Sequence, residues 1–457
     1  MTWRLRSRLR LFIHGTLWIT PVASLLLAMG LAPLLLELDE RTRWPLLGYG
    51  LEGAHGVASA IVASTFTLTV LIFSIILVAV QLSSSQLSPR AIASSILKDR
   101  QTQFVLGLFI FTYVLAIAVL GRIDTRVPEL PLFIAIVFTV LSIAAFLYLI
   151  DYVAKALRPV SFCRRISRAG MQVVDTVYPQ QLGDTSPTHG LEAQIRGRRP
   201  DRVVRLDADV GVLIAFDSKG LSAIARRADG LIVLVPQVGD FVARGEPVFL
   251  LFEGATLLKD RDLMGSLVLG AERTLAQDPA FGLRILVDIA NKALSPGIND
   301  PTTAVQAIDY IYWMLREVGT RRLDNGRVKD ETGELRLFFR TPKWEDFIGL
   351  AVTEVRLYGA GSIQIARRLR CMLQDLIEFL PSHRHPPLIA QLDLLQRSVE
   401  RGFADSEDWA NAGAGDRQGQ GSAPEVGATN ASLIASPPTG SPAKSWPGDE
   451  TESCSSR

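Results

Sequence analysis

Val57-Ala-Ser-Ala-Ile-Val-Ala-Ser-Thr-Phe-Thr-Leu-Thr-Val-Leu-Ile-Phe-Ser-Ile-Ile-Leu-Val-Ala-Val80 contains no Asp, Glu, Lys or Arg. A helix needs ~20 apolar residues to cross ~30 Å of hydrocarbon, so this stretch predicts a transmembrane helix. Three more uncharged runs surround it: Leu11 to Leu36 before it, and Gln103 to Gly121 and Pro131 to Ile150 after it. The prediction is a membrane α-helical region of four transmembrane helices within residues 1–155. Arg4, Arg6, Arg8 and Arg10 precede the first run in the manner of a secretory signal, but that run is too long for a signal core and has no clean small-x-small site. It is therefore expected to stay as an anchor.

Orientation follows from the basic flanks. The four amino-terminal arginines, then Arg90, Lys98 and Arg100, then Lys155, Arg158, Arg164, Arg165 and Arg168 lie on one side; the opposite loops offer Arg41 and Arg43, then Arg122 and Arg126. Basic flanks stay in the cytoplasm, which predicts a multi-pass protein of the bacterial cytoplasmic membrane with both termini inside. Pro21 and Pro33 are expected to kink or fray the first helix. His14, within about a turn of Arg10, is read as an interfacial histidine, with a proton site as the alternative.

Within the opening stretch, Thr67, Ser74, Gln81 and Ser88 recur every seven residues, and Ala60, Ala63 and Ser85 fall near the same stripe, which Leu71 and Val78 interrupt. Small and hydroxylated residues let helices approach closely in lipid. The same residues suit a water-filled path, since hydroxyls and an amide replace part of an ion's hydration shell. Both readings stay open. Ser88-Pro89 then reads as a helix start, with Ile92, Ile96 and Leu97 on the apolar side of a short interfacial helix, or else of a solvated loop.

The chain of 457 residues carries a net charge of only +2, which gives no reason to expect nucleic acid as a partner. Cys163, Cys371 and Cys454 are far apart, so neither a disulfide framework nor a zinc site is expected. His383 and His385, two apart beside prolines, are too few for a metal site and read as an exposed loop.

Beyond the membrane runs the sequence divides into a basic helix and linker (156–200), a β-rich segment (201–256), a helical cytoplasmic domain (257–403) and a tail (404–457). The linker proper, Tyr178 to Pro200, is rich in Pro, Gly, Gln and Thr. Strands are expected at Val210 to Phe216 and Leu231 to Val235, around a helix capped by Asp217 and ended by Gly230. The pattern Gly239-Asp-Phe-Val-Ala-Arg-Gly245-Glu-Pro-Val248 resembles the barrel-sandwich hybrid of biotinyl and lipoyl carriers, whose turns need glycine for positive φ. No lysine sits in a carrier hairpin, so no cofactor is expected. Asp278-Pro279 and Asp300-Pro301 each read as a cap and first position, giving a helix to about Leu294 and another through Arg316, ended by Gly319. Residues 321–340 read as hairpin turns or a polar loop, and further helices as Pro342 to Tyr358 and Ser362 to Leu380. The tail, poor in large apolar residues, is expected to be disordered. The overall expectation is a cytoplasmic α+β region with a small barrel-sandwich-like β segment and a helical bundle.

The string Asp278-Pro-Ala-Phe-Gly-Leu-Arg-Ile-Leu-Val-Asp-Ile-Ala-Asn-Lys-Ala-Leu-Ser-Pro-Gly-Ile-Asn-Asp-Pro-Thr-Thr-Ala304, with Phe73-Ser74 and Ser88-Pro89-Arg90, resembles a family of predicted bacterial membrane proteins, the domain of unknown function 2254 family. The resemblance covers residues 10–400 or so and implies a four-helix membrane region with a cytoplasmic portion. It brings no activity and no catalytic residues.

Read by its own chemistry, the string offers a candidate anion or ligand site. Asn299, Asp300, Thr302 and Thr303 stand at a helix start, where free N–H groups attract anions, with Arg284 or Lys292 to assist. A structural turn is the competing reading, because Arg284 with Asp288 and Asp288 with Lys292 are ordinary i,i+4 pairs. An enzyme ranks third: no Walker-type loop, GxSxG, HExxH or cluster of metal ligands is present, and nothing positive supports acid–base chemistry at Asp288 or Asp300. The functional expectation is a homo-oligomeric channel or membrane sensor in the lipid bilayer, with Thr67, Ser74, Gln81, Ser85 and Ser88 near the axis. The alternative is a membrane-anchored binding or scaffold protein that recruits a cytoplasmic partner.

Overall fold

The computed structural model describes residues 18–42, 46–86, 100–124, 126–182, 198–207, 210–323 and 326–419. The amino-terminal arm with His14, the expected interfacial helix at 87–99, most of the linker and the tail beyond 419 lie outside the described residues.

Four helices long and apolar enough to cross a membrane come first: α1 (Ile19–Thr42), α2 (Leu51–Gln86), α3 (Arg100–Leu120) and α4 (Glu129–Ala156). α1 extends past the apolar run into Glu37 and Asp39 because the Asp39 carboxylate has a use there. It is buried, and its Oδ1 accepts the Leu130 N–H at 2.8 Å, satisfying a free amide in the first turn of α4. Pro21 falls in the first turn, where no intrahelical bond is lost, and α1 continues through Pro33. α2, with 36 residues, is ~54 Å long and projects beyond the hydrocarbon.

α3 lies at the centre of this group and packs on the other three helices. Gly107 permits its closest approach, since a Cβ there would sit 2.6 Å from Ser24 Oγ on α1. Inside this apolar packing the Thr112 and Ser142 hydroxyls meet at 3.2 Å across α3 and α4, and the Thr20 hydroxyl donates to Gln103 Oε1 at 3.2 Å. At the α4 start Glu129 accepts the amides of Leu46 and Leu47, tying the α1–α2 loop down.

α5 (Pro159–Val177) starts two residues after α4, at a break where Arg158 is extended. Its buried face of Phe162, Cys163, Ile166, Gly170 and Val174 makes it part of the helical core. Burying each large side chain is worth ~1.5–3 kcal/mol.

The β-rich part forms two sheets. Strands β1 (Arg202–Arg205), β3 (Gly230–Leu234), β5 (Pro247–Glu253), β7 (Arg327–Lys329) and β8 (Leu335–Phe339) order as β1-β5-β3-β8-β7. Strands β2 (Gly211–Phe216), β4 (Phe241–Val242) and β6 (Leu267–Gly270) order as β4-β2-β6. α6 (Ser218–Arg227) is capped by Asp217, as expected, and Gly239 and Gly245 hold positive φ at the two expected turns. No closed barrel forms among these strands: β8, a hundred residues downstream, pairs parallel with β3 and extends the first sheet sideways. The 330–334 turn joins β7 to β8, with Asp330 accepting the amides of Thr332 and Glu334.

After the short α7 (Asp260–Met264), the remaining helices run up and down: α8 (Pro279–Ala293), α9 (Pro301–Gly319), α10 (Trp344–Gly359), α11 (Ile363–Phe379) and α12 (His385–Gly402). Asp278 and Asp300 cap α8 and α9 as the sequence predicts. Two ends are defined by contact. At one, Asp300 N–H donates to Ala293 O, Gly359 lies against Leu294 and Ile365, and Gly402 against Ala360. At the other, Trp344 Nε1 donates to Arg384 O and Gly319 abuts Leu380. α5 reaches this second end with Tyr178, whose ring packs on Phe347, so its start, and the connection to the membrane, is at the first end. His385 begins α12 with Nε2 on Leu380 O, and His383 is in a short 3-10 turn. The first residues of the expected disordered tail form α13 (Ser406–Ala412), and Gly419 lies against Val305.

Candidate functional site

Two groups of residues qualify from the sequence: the polar stripe of α2 and the α8–α9 turn. In α2 the side chains turned into the membrane bundle are Ala54, Ala58, Ile61, Thr65, Ile72 and Ala79, all buried. At ~100° per residue the stripe of Thr67, Ser74 and Gln81 falls on the opposite side, and all three are exposed. Ala60 and Ala63 are exposed on the same side. Because α2 begins at Leu51, the stripe also gains Gly53 and Gly56, which the apolar run alone does not include. Small or polar residues therefore line one outer face over most of the helix.

The hydroxyls on this face donate inward to their own helix. Thr67 Oγ1 donates to Ala63 O at 2.9 Å and Ser74 Oγ to Val70 O at 3.0 Å. Their protons are thus used, and the oxygen lone pairs remain to accept from whatever lies alongside. Leu71 and Val78, the two interruptions, are also exposed and flank the stripe. Ser85 belongs to α2 with its side chain undescribed, and Ser88 lies outside the described residues.

At the α8–α9 turn the proposed ligands are only partly brought together. Asn299, Asp300, Thr302 and Thr303 share the start of α9, where Asn299 adopts a left-handed φ of 48°, a conformation asparagine tolerates. Asp300 Oδ1 accepts the Thr303 N–H at 3.0 Å, and Asp300 also takes the Thr303 hydroxyl, so a carboxylate already occupies the position an anion would take. Lys292 is near this turn, whereas Arg284 lies eight residues, ~12 Å, back along α8.

Arg284 is engaged elsewhere. Its Nη1 and Nη2 donate to the two Glu354 oxygens at 2.6 and 2.7 Å, its Nε donates to Asp288 at 2.7 Å, and Asn291 joins Glu354 at 2.8 Å. These contacts hold its guanidinium above its ordinary value, the Glu354 hydrogen bonds most of all. The cluster locks α8 to α10. Glu354 and Asn291 were not apparent from spacing, since Glu354 is remote in sequence.

Nucleophilic chemistry finds no footing at Cys163, whose thiol is pushed up to about 12 by burial. No group of three or more metal-ligating side chains occurs among the described residues.

Residues 14–375 match the model of a family described as predicted membrane protein (DUF2254). Uncharacterized proteins of Mycobacterium bovis and Mycobacterium tuberculosis are each 25% identical over 417 residues, covering 87% of this chain and 79% of theirs. No solved structure matches.

Proposed function

The chain belongs to the family of predicted membrane proteins (DUF2254), and from that premise we propose that it is a homo-oligomeric channel or membrane sensor of the bacterial cytoplasmic membrane, with the polar face of α2 at the axis. The observation that carries this is the outward stripe: Gly53, Gly56, Ala60, Ala63, Thr67, Ser74 and Gln81 face away from the chain's own bundle. In lipid such a face gains from a second copy, because small residues permit close backbone approach and the exposed oxygens find donors or water. The basic residues after α4 support placing the α5–α13 portion in the cytoplasm, with both termini inside. The glycine turns at 239 and 245 support a distant likeness of residues 201–256 to a barrel-sandwich segment.

Planar-bilayer recording of the purified protein tests conduction, comparing wild type with Ser74→Leu and Gln81→Leu. The reading expects voltage- or tension-dependent currents that both leucines reduce. Silence of the wild type under both stimuli contradicts conduction.

A second reading, a membrane-anchored scaffold, has its own support in the size of the extramembrane core built by α5 and α8–α12. Pull-down with the full chain, followed by the same experiment on Glu354 and sheet-edge variants, separates it from the first. A partner retained regardless of Ser74→Leu favours recruitment.

A further inference from the structure

Arg356 is buried to 5% exposure in the last turn of α10, yet only its Nη1 finds an acceptor, the neutral Ser398 hydroxyl at 2.7 Å on α12. Its Nε is buried without a partner. Burial, then exposed Arg401 and Arg397, the charged groups that act on it among the described residues, lower the tendency of Arg356 to hold its proton. Three other buried or half-buried arginines meet carboxylates, Arg284 with Glu354, Arg336 with Asp330 and Arg368 with Asp309, while half-buried Arg370 meets the neutral Gln396 amide. Helix C-termini favour cations, which accounts for exposed Arg397 and Arg401 but not for a buried guanidinium with a neutral partner. Among the described residues no carboxylate balances this guanidinium.

The place of the cluster says what kind. Arg356 and Arg401 lie at the end of the bundle from which α5 starts, two residues after α4. Arg165, in the second turn of α5, lines a narrow cleft with Ala79, Thr102 and Tyr152 at the ends of α2, α3 and α4, so this end adjoins the membrane helices. The turns at the same end carry large exposed apolar side chains: Ile298 at 41%, Leu357 at 62% and Tyr358 at 59%. Apolar side chains beside arginines are the composition of a surface that lies on a leaflet. Asp405, Glu407 and Asp408 open α13 nearby, and none of them pairs with the three arginines.

We propose that this end of the bundle rests on the leaflet to which it is tethered. Ile298, Leu357 and Tyr358 sit at the headgroup–acyl boundary, and the Arg356 guanidinium, flanked by Arg397 and Arg401, binds the phosphate of an anionic phospholipid. The inference rests on the membrane reading of α1–α4 but not on α2 lining an axis, so a protein that conducts nothing can still satisfy it.

Amide exchange of the full chain in nanodiscs is the test, comparing phosphatidylcholine alone with phosphatidylcholine plus phosphatidylglycerol. Segments 294–300 and 355–362 should exchange several-fold more slowly on the anionic discs, while 318–322 at the opposite end is unchanged. Arg356→Met and the double variant Leu357→Ser/Tyr358→Ser should each abolish the slowing. Should Arg356→Met fail to fold, Arg397→Gln/Arg401→Gln gives the same readout from the surface. Equal exchange on the two discs overturns the proposal. So does equal slowing when inorganic phosphate is added to phosphatidylcholine discs, which would make the ligand a soluble anion.

Discussion

Arg284 is held by Asp288 one turn along its own helix and by Glu354 seventy residues away. Glu354→Gln removes the charged half of a bidentate bond and leaves Arg284 with one carboxylate. Because both groups retain some exposure, the expected loss of stability is ~1–2 kcal/mol rather than the ~3–5 of a fully buried pair, measured by denaturant unfolding in detergent. Asp330 gives a pH signature. The Thr332 hydroxyl, then the Arg336 guanidinium, hold its carboxyl well below the usual carboxylate range. The folded value is the lower one, so its contribution is complete above the unfolded value of about 3.8 and is lost as pH falls toward the folded value. Asp330→Asn should therefore flatten the acid limb of an unfolding-midpoint profile while leaving the profile above pH 5 or so parallel to wild type. Local residues of this kind were legible: Asp278-Pro279 and Asp300-Pro301 announce helix starts because a cap acts within three residues. Glu354, Asp39 and Arg356 were not, because their partners come from other helices.

Among the elements, α3 and β8 show where sequence pattern runs out. α3 is as uncharged as its neighbours, so hydropathy predicts that it spans but not that it is the buried centre. Gly107 is the residue that decides its distance from α1. Gly107→Val should push α1 off α3 at Ser24 and cost ~1–3 kcal/mol, read as a lower melting temperature in nanodiscs; an unchanged melt would mean the crossing is looser than described. β8 joins β3 in parallel after the α8–α9 hairpin, a long-range pairing that alternation in 335–339 does not announce. With that pairing, strands of the expected barrel-sandwich-like segment join a five-stranded sheet, and no closed barrel forms among them. The stretch after α4 reads as a basic helix, but its charge does not announce that Phe162, Ile166 and Val174 pack into the bundle, and Cys163 with them. Cys163 should accordingly resist maleimide at neutral pH in the folded chain and react after denaturation; labelling at a free-thiol rate in the native protein contradicts the packing of α5.

For the whole molecule, the number of membrane helices was legible because hydrocarbon tolerates so few sequences. Which side of α2 its own bundle covers was not, since both sides of that helix are uncharged and only the three-dimensional packing distinguishes Thr65, buried, from Thr67, exposed. That distinction makes the stripe an outward surface and turns a packing motif into an assembly hypothesis. Oxidative crosslinking in native membranes addresses it most directly, with the native cysteines replaced and single cysteines placed at Ser74 or at Phe73, which is exposed on a different side of α2. Ser74→Cys should form disulfides between copies efficiently, and Phe73→Cys should form few. Equal crosslinking of the two, or none from Ser74→Cys, contradicts a polar α2 face meeting its counterparts.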